Sequence, residues 1–205
     1  MNFRTIIFMF FGTLATLLFS CNQKAQTQKG NIKKSDSIFA TELIENDFLR
    51  YADSSNIDGL KKQLKNSFDI YEDDNFKIVH IDAEELAEFN FDFFLPQLNK
   101  MLGKRNVNLT VETANDYEKT NYIIINGEKL CLYTKKELDN LTFWDTAPRN
   151  FFKKVNKILK TKNIDEQFYL LYGGNDLHTL LLTDKQFLII SEYYNDNDKE
   201  KPYKP

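Results

Sequence analysis

The sequence predicts a single α+β domain, a mainly antiparallel sheet of hairpins packed by three to five helices. Three observations carry that prediction. Asn126-Gly127, the dipeptide favoured in two-residue hairpin turns, separates two short apolar runs. A second such pair of runs flanks Gly173-Gly174-Asn175-Asp176 near the C-terminus. Between and before them, apolar residues fall at the three-and-four spacing of buried helix faces.

Taken in order, residues 22–35 are polar, lack apolar periodicity and read as a flexible tether. The domain is expected from residue 37 to 194. In residues 38–52, Phe39, Leu43, Ile44, Phe48, Leu49 and Tyr51 mark one helix, and Leu60, Leu64 and Phe68 a second. Residues 76–81 read as a strand. Asp82 and Glu85 then form a capping-box pattern at the start of a helix whose buried side is Leu86, Phe89, Phe93 and Leu98. Pro96 threatens a kink in it, and Gly103 is a plausible stop.

Residues 107–111 read as a strand beside the hairpin of 122–125 and 129–133. Helices follow at 135–141 and 148–159, the latter turning Phe151, Phe152, Val155 and Leu159 inward. The second hairpin spans 167–172 and 177–182. Residues 187–194 fit either a strand or, with Thr183 and Gln186 as a capping pair, a closing helix. The end, 195–205, is polar and reads as frayed.

Composition narrows the function classes. Against 27 basic residues stand 30 acidic ones, a net charge of −3. That argues against a nucleic-acid binder, which would show a basic face, and names no partner. The 18 Phe and 10 Tyr supply one core, and 7 Gly with 4 Pro are too few for a low-complexity chain. His80 and His178 have no metal-ligand spacing with Cys or Glu, so neither metal nor cofactor is expected. Cys131 sits in Leu130-Cys131-Leu132 as a buried small hydrophobe. No nucleophile elbow and no phosphate-binding glycine loop occurs. Glu84, Glu85 and Glu88, the densest acidic group, read as a solvated helix face.

Two surface candidates remain. Tyr172, Asn175, Asp176 and His178 surround a flexible hairpin tip, a place where binding sites sit on rigid sheets. Trp144, the only tryptophan, lies in Phe143-Trp144-Asp145 between two helices, as an interface anchor or a core plug.

The N-terminus carries the strongest resemblance. Arg4 precedes an uncharged apolar run from Thr5 to Phe19 that ends at Ser20-Cys21. Leu18-Phe19-Ser20-Cys21 resembles the lipobox of bacterial lipoproteins, although Phe19 replaces the small or β-branched residue usual there. The resemblance implies a signal peptide over 1–20 and a tether over 21–36 that starts at an acylated Cys21. Its fatty chains, palmitate among them, would exceed the two-signal threshold for stable anchoring. Asn22, where an aspartate resembles an inner-membrane retention signal, implies the outer membrane. Lys24, Lys29, Lys33 and Lys34, in place of an acidic cluster, imply a periplasmic facing. Asp36-Ser37-Ile38 and Asp145-Thr146-Ala147 resemble the tripeptide some Gram-negative bacteria O-glycosylate, with Ser37 the more accessible acceptor or a helix cap.

The expectation is a membrane-anchored periplasmic lipoprotein with a non-enzymatic binding role and a protein partner. Its sharpest form is an immunity protein that neutralises a toxin. The alternatives are an envelope enzyme acting on glycan or peptide through an unidentified carboxylate pair, and an accessory subunit of an outer-membrane complex.

Overall fold

The runs Phe168 to Leu171 and Leu180 to Leu182 have no polar alternation, so a strand made from either must be covered on both faces. The computed structural model, which describes residues 35–69, 71–114 and 116–205, shows that arrangement. Strands β1 (Ile78–His80), β5 (Glu166–Leu171) and β6 (His178–Thr183) form an antiparallel sheet in the order β1-β6-β5. Along β5, Phe168 and Leu170 face one apolar core, while Tyr169 and Leu171 face another. The period-two alternation of a strand therefore divides one apolar run between two layers.

Helices α1 (Asp36–Glu45), α2 (Ile57–Asn66) and α7 (Asp184–Tyr193) supply the second of those cores, through Phe39, Leu43, Leu60, Leu64, Ile189 and Ile190. Across the sheet lies the larger core. Helices α3 (Ala83–Ala87), α4 (Leu95–Gly103) and the long α6 (Phe143–Thr161) build it with Leu86, Leu98, Phe151, Phe152, Val155 and Leu159. A second antiparallel sheet, β2 (Val111–Thr113), β3 (Tyr122–Ile125) and β4 (Glu128–Cys131), closes it with Ile123 and Ile125. Helix α5 (Lys135–Asp139) links this sheet to α6.

The α+β class is as the sequence predicts, but two three-stranded sheets and seven α-helices stand among the described residues instead of one sheet and three to five helices. Residues 33–205 form one compact unit. A chain starting at Ser35 keeps both cores and every element named here, and so folds on its own. Cys21, the signal segment and the lysines of the tether lie outside the described residues. Among the described residues no helix is long and apolar enough to cross a membrane.

Local chemistry explains most of the boundaries. Asn126 and Gly127 take φ of 49° and 81°, the two positive values of a type I′ turn. Thr183 and Gln186 make a reciprocal capping box, which settles 184–193 as a helix. Asp82 accepts from the backbone N–H groups of Glu84 and Glu85, but the expected capping box stays half-formed, because the Glu85 carboxylate accepts from the Asn90 amide instead of the Asp82 N–H. The helix it opens ends at Ala87, because Phe89 takes φ of 70°. Pro96 does not kink a long helix; it sits in the first turn of α4, where its missing N–H costs nothing. Phe93, expected inside, is 47 % exposed on the turn between those helices. After α4 the left-handed residue is Asn106 and not Gly103.

Other expectations need correction too. The first helix starts at Asp36 and stops at Glu45, ahead of Asp47 at φ 60°. Ser37 is thus in its first turn and Ser35 is the N-cap. The strand expected at 107–111 is displaced to Val111–Thr113. Trp144 lies within the first turn of α6, not between helices. Cys131 ends β4 exposed, its Sγ 3.1 Å from the Tyr133 carbonyl. The C-terminal segment is docked: Tyr203 bridges Leu170 in antiparallel register, and Pro202 is buried.

Candidate functional site

Helix α5 opens on a capping box in which Glu137 N–H donates to Thr134 Oγ1 at 3.2 Å and Thr134 N–H to Glu137 Oε2 at 2.7 Å. It closes through Thr142 N–H on the Glu137 carbonyl at 3.0 Å, which turns Leu141 to φ 57°. That left-handed position after a helix is where glycine or asparagine avoids the Cβ clash.

Four large apolar or aromatic residues take such a φ among the described residues: Phe76, Phe89, Tyr172 and Leu141. Phe76 and Phe89 are only 8 % and 9 % exposed, and Tyr172 is half-buried with its hydroxyl bonded to Tyr71 and Glu200. Their packing offsets the strain. Leu141 is 64 % exposed, so it has both a strained backbone and an apolar side chain in water. Strain that the surrounding packing does not repay points to a functional position.

Trp144, one turn further on, stacks at a tilt on the buried Phe143 with centroids 4.6 Å apart, and leaves part of its indole at the surface. Its Nε1–H points to Glu88 at 3.4 Å. Leu141 and Trp144 together form a ridge between two hollows. One, of about 440 Å³, lies between the start of α6 and the β5–β6 turn, with Thr142, Asp145, Gly173, Gly174 and Tyr203 around it. The other, of about 390 Å³, is bounded by Tyr117, Lys119, Lys135 and Leu138. Arg149 ties the first hollow down by donating to Asp145 at 2.9 Å and lying 5.0 Å from the Tyr203 ring centroid. The bond to Asp145 raises its pKa further above the ordinary guanidinium value.

The structure thus brings Trp144 to the glycines of the hairpin tip, but it separates the polar residues of that tip. Asn175 Nδ2 reaches toward Glu84 at 3.4 Å. His178 turns away from the hollow and stacks on His80, its cross-strand partner, with centroids 4.7 Å apart. Tyr71 and Tyr172 meet the His178 ring edge-on, and Phe93 meets His80. Each imidazole bonds a backbone carbonyl of the tip: His80 Nε2 that of Asn175 and His178 Nδ1 that of Asp176, both at 2.8 Å. Burial, aided by the neighbouring His80, lowers the His178 pKa below its ordinary value. The Asp176 side chain is exposed.

Thr146, one of the two suggested glycosylation positions, is half-buried and its hydroxyl bonds Glu137 Oε1 at 3.1 Å. Ser37 is exposed. Sequence reasoning missed Leu141, because a helix drawn over 135–141 conceals the one residue that must leave it. The available signal was the leucine itself, standing directly after Asn140 at a helix end that lacks glycine.

No known protein family, characterised protein or solved structure matches this chain.

Proposed function

We propose that the chain is a membrane-anchored periplasmic lipoprotein of the outer membrane whose folded domain binds a protein partner without catalysing a reaction. The observation that carries the binding role is Leu141, strained and exposed on a ridge it shares with Trp144. A partner surface laid over the ridge would cover the leucine and the indole edge, and could seat side chains in the hollows on either side. Burying a leucine fully contributes about 1.5–3 kcal/mol, and tryptophan is enriched among interface anchors. The lipoprotein part rests on the residues around Cys21. The sharpest form of the reading is an immunity protein, for which a lipid anchor and a long tether would hold the domain where an incoming toxin enters.

The test is affinity capture with residues 35–205 against secreted and envelope fractions of the producing cells, in parallel with Leu141→Asn. One stoichiometric partner held by the natural domain and lost by the variant supports the reading. If that partner is encoded beside this chain and kills cells lacking it, the immunity form stands. A partner held equally by both places the interface elsewhere.

A further inference from the structure

We propose that the hollow between α6 and the C-terminal segment is a binding site for a phosphate-bearing anion. The hollow measures about 530 Å³ and lies on neither side of the Leu141 ridge. Lys153, Lys157 and Lys160 line it from α6, at spacings of four and three residues that bring them to one helix face. Lys204 comes from the other end of the chain. It is set in place by the adjacent Tyr203, which exchanges backbone hydrogen bonds with Leu170. Two elements remote in sequence therefore bring four exposed lysines to the lining of one concavity.

Three acidic residues share the lining: Asp165 and Glu166 are ion-paired away from these lysines, whereas Asp184, held by neutral donors, also feels the charge of Lys204. Asp165 accepts from Arg50 at 2.9 Å, and Glu166 takes both Arg105 and Lys77 in the interior. Asp184 accepts from the Tyr169 hydroxyl and from Gln167, both at 2.6 Å. Among the described residues none of the four lysines forms an ion pair. Elsewhere on the surface the same residue type does pair: Lys104 with Asp53, Lys119 with Asp116, Lys135 with Asp139 and Lys201 with Asp198. In a chain of net charge −3, four lysines against three carboxylate side chains leave this lining with an excess of one positive charge.

Ammonium groups on flexible stems suit a phosphate group, which takes several donors without a fixed fork geometry. The shared chemistry is a set of anionic phosphoryl oxygens; their source is either a soluble phosphorylated compound or the headgroup of an anionic lipid. Residues 35–205 titrated with pyrophosphate, and separately with vesicles of phosphatidylglycerol in phosphatidylcholine, distinguish the two. Binding of either probe is expected to weaken about five-fold for each of Lys153→Ala, Lys157→Ala and Lys160→Ala, and to weaken with added salt. Pyrophosphate binding with indifference to the vesicles indicates a soluble ligand, and the reverse a lipid headgroup. Lys129→Ala and Lys135→Ala, which lie outside this hollow, serve as controls. Failure of both probes to bind, or equal weakening by the control substitutions, overturns the proposal.

Discussion

Tyr203 and Leu170 exchange two backbone hydrogen bonds of 2.8 Å each, so a single antiparallel bridge ties the segment around Tyr203 to the edge of β5. Two residues away, Asn156 of α6 does the same with a side chain. Its Nδ2 donates to the Phe168 carbonyl at 3.0 Å, and its Oδ1 accepts from the Phe168 N–H at 2.6 Å. An unpaired strand edge is a template for association with other chains, and these two residues cover this one.

Tyr203→Pro removes one of the two bridging donors, and deletion of residues 202–205 removes the bridge. Each is expected to cost about 1–3 kcal/mol, since a buried carbonyl or N–H of Leu170 loses its partner. Urea unfolding measures the cost. Sedimentation should show concentration-dependent self-association for the deletion; a monomer of unchanged stability would mean that the segment seals nothing.

Glu166 holds two cations in the interior. Arg105 Nε donates to its Oε2 at 2.7 Å and Arg105 Nη2 to its Oε1 at 2.9 Å, while Lys77 bonds Oε1 and also reaches Gln186 at 3.1 Å. Glu166→Gln leaves that positive charge buried without its counter-ion, and a loss of about 3–5 kcal/mol is expected. Thermal or urea unfolding of the variant beside the natural chain measures this; a loss under about 1 kcal/mol would show that the triad is solvated.

The same triad sets the response to pH. Against the pull of burial, the bonds from Arg105 and Lys77 hold the Glu166 carboxyl below its ordinary 4.5. Its stabilisation is complete above that value and is lost as pH falls through the lower folded value. Lys77 moves oppositely to a surface lysine: burial lowers its ammonium from 10.5 to about 8. Between those values the unfolded chain holds a proton the folded chain has released, so stability rises with pH across that window. Lys77→Met should abolish the rise, read from urea unfolding at pH 7 and pH 10.

His178 gives a smaller dependence. Its folded pKa lies below the ordinary 6.5, because burial disfavours the charged ring. The unfolded chain is protonated first as pH drops, so stability declines from 6.5 toward the folded value and then levels. Imidazole resonances followed by NMR should show His178 titrating below 6.5. A His178 resonance that titrates at or above that value would contradict the stacked, half-buried placement.

How much of this was legible in the sequence differs by element. The Asn126-Gly127 turn needed only local backbone freedom, and it is where it was expected. The inward residues of α2 and α6 were equally plain, since their apolar spacing and their burial have one cause, although Phe68 lies beyond the end of α2 and α6 begins at Phe143 and not at 148. What failed was decided by contacts between distant residues. Phe93 had helical spacing but lies in a short 3-10 turn, Phe91–Phe93, outside both α3 and α4, because the chain turns at Phe89. The C-terminal segment looked polar and free, yet a backbone bridge to Leu170 holds it without help from composition. Neither the pairing of His80 with His178 nor the gathering of lysines 153, 157, 160 and 204 can be read before the register of β1 and β6 and the bridge from Tyr203 to Leu170 are known. Of the candidate site, Trp144 was visible as a lone tryptophan, whereas Leu141 became visible only with its φ.

The claim at the centre of this account is that Leu141 is kept for binding at a cost to the fold. Leu141→Asn, and Leu141→Gly as its companion, should relieve the left-handed strain and remove exposed apolar surface, leaving stability unchanged or raised by up to about 1 kcal/mol. The decisive measurement is the melting temperature of both variants together with their capture of the partner held by the natural domain. The account predicts an equal or higher melting temperature with the partner lost. A lower melting temperature, or a partner retained at full stoichiometry, would contradict it.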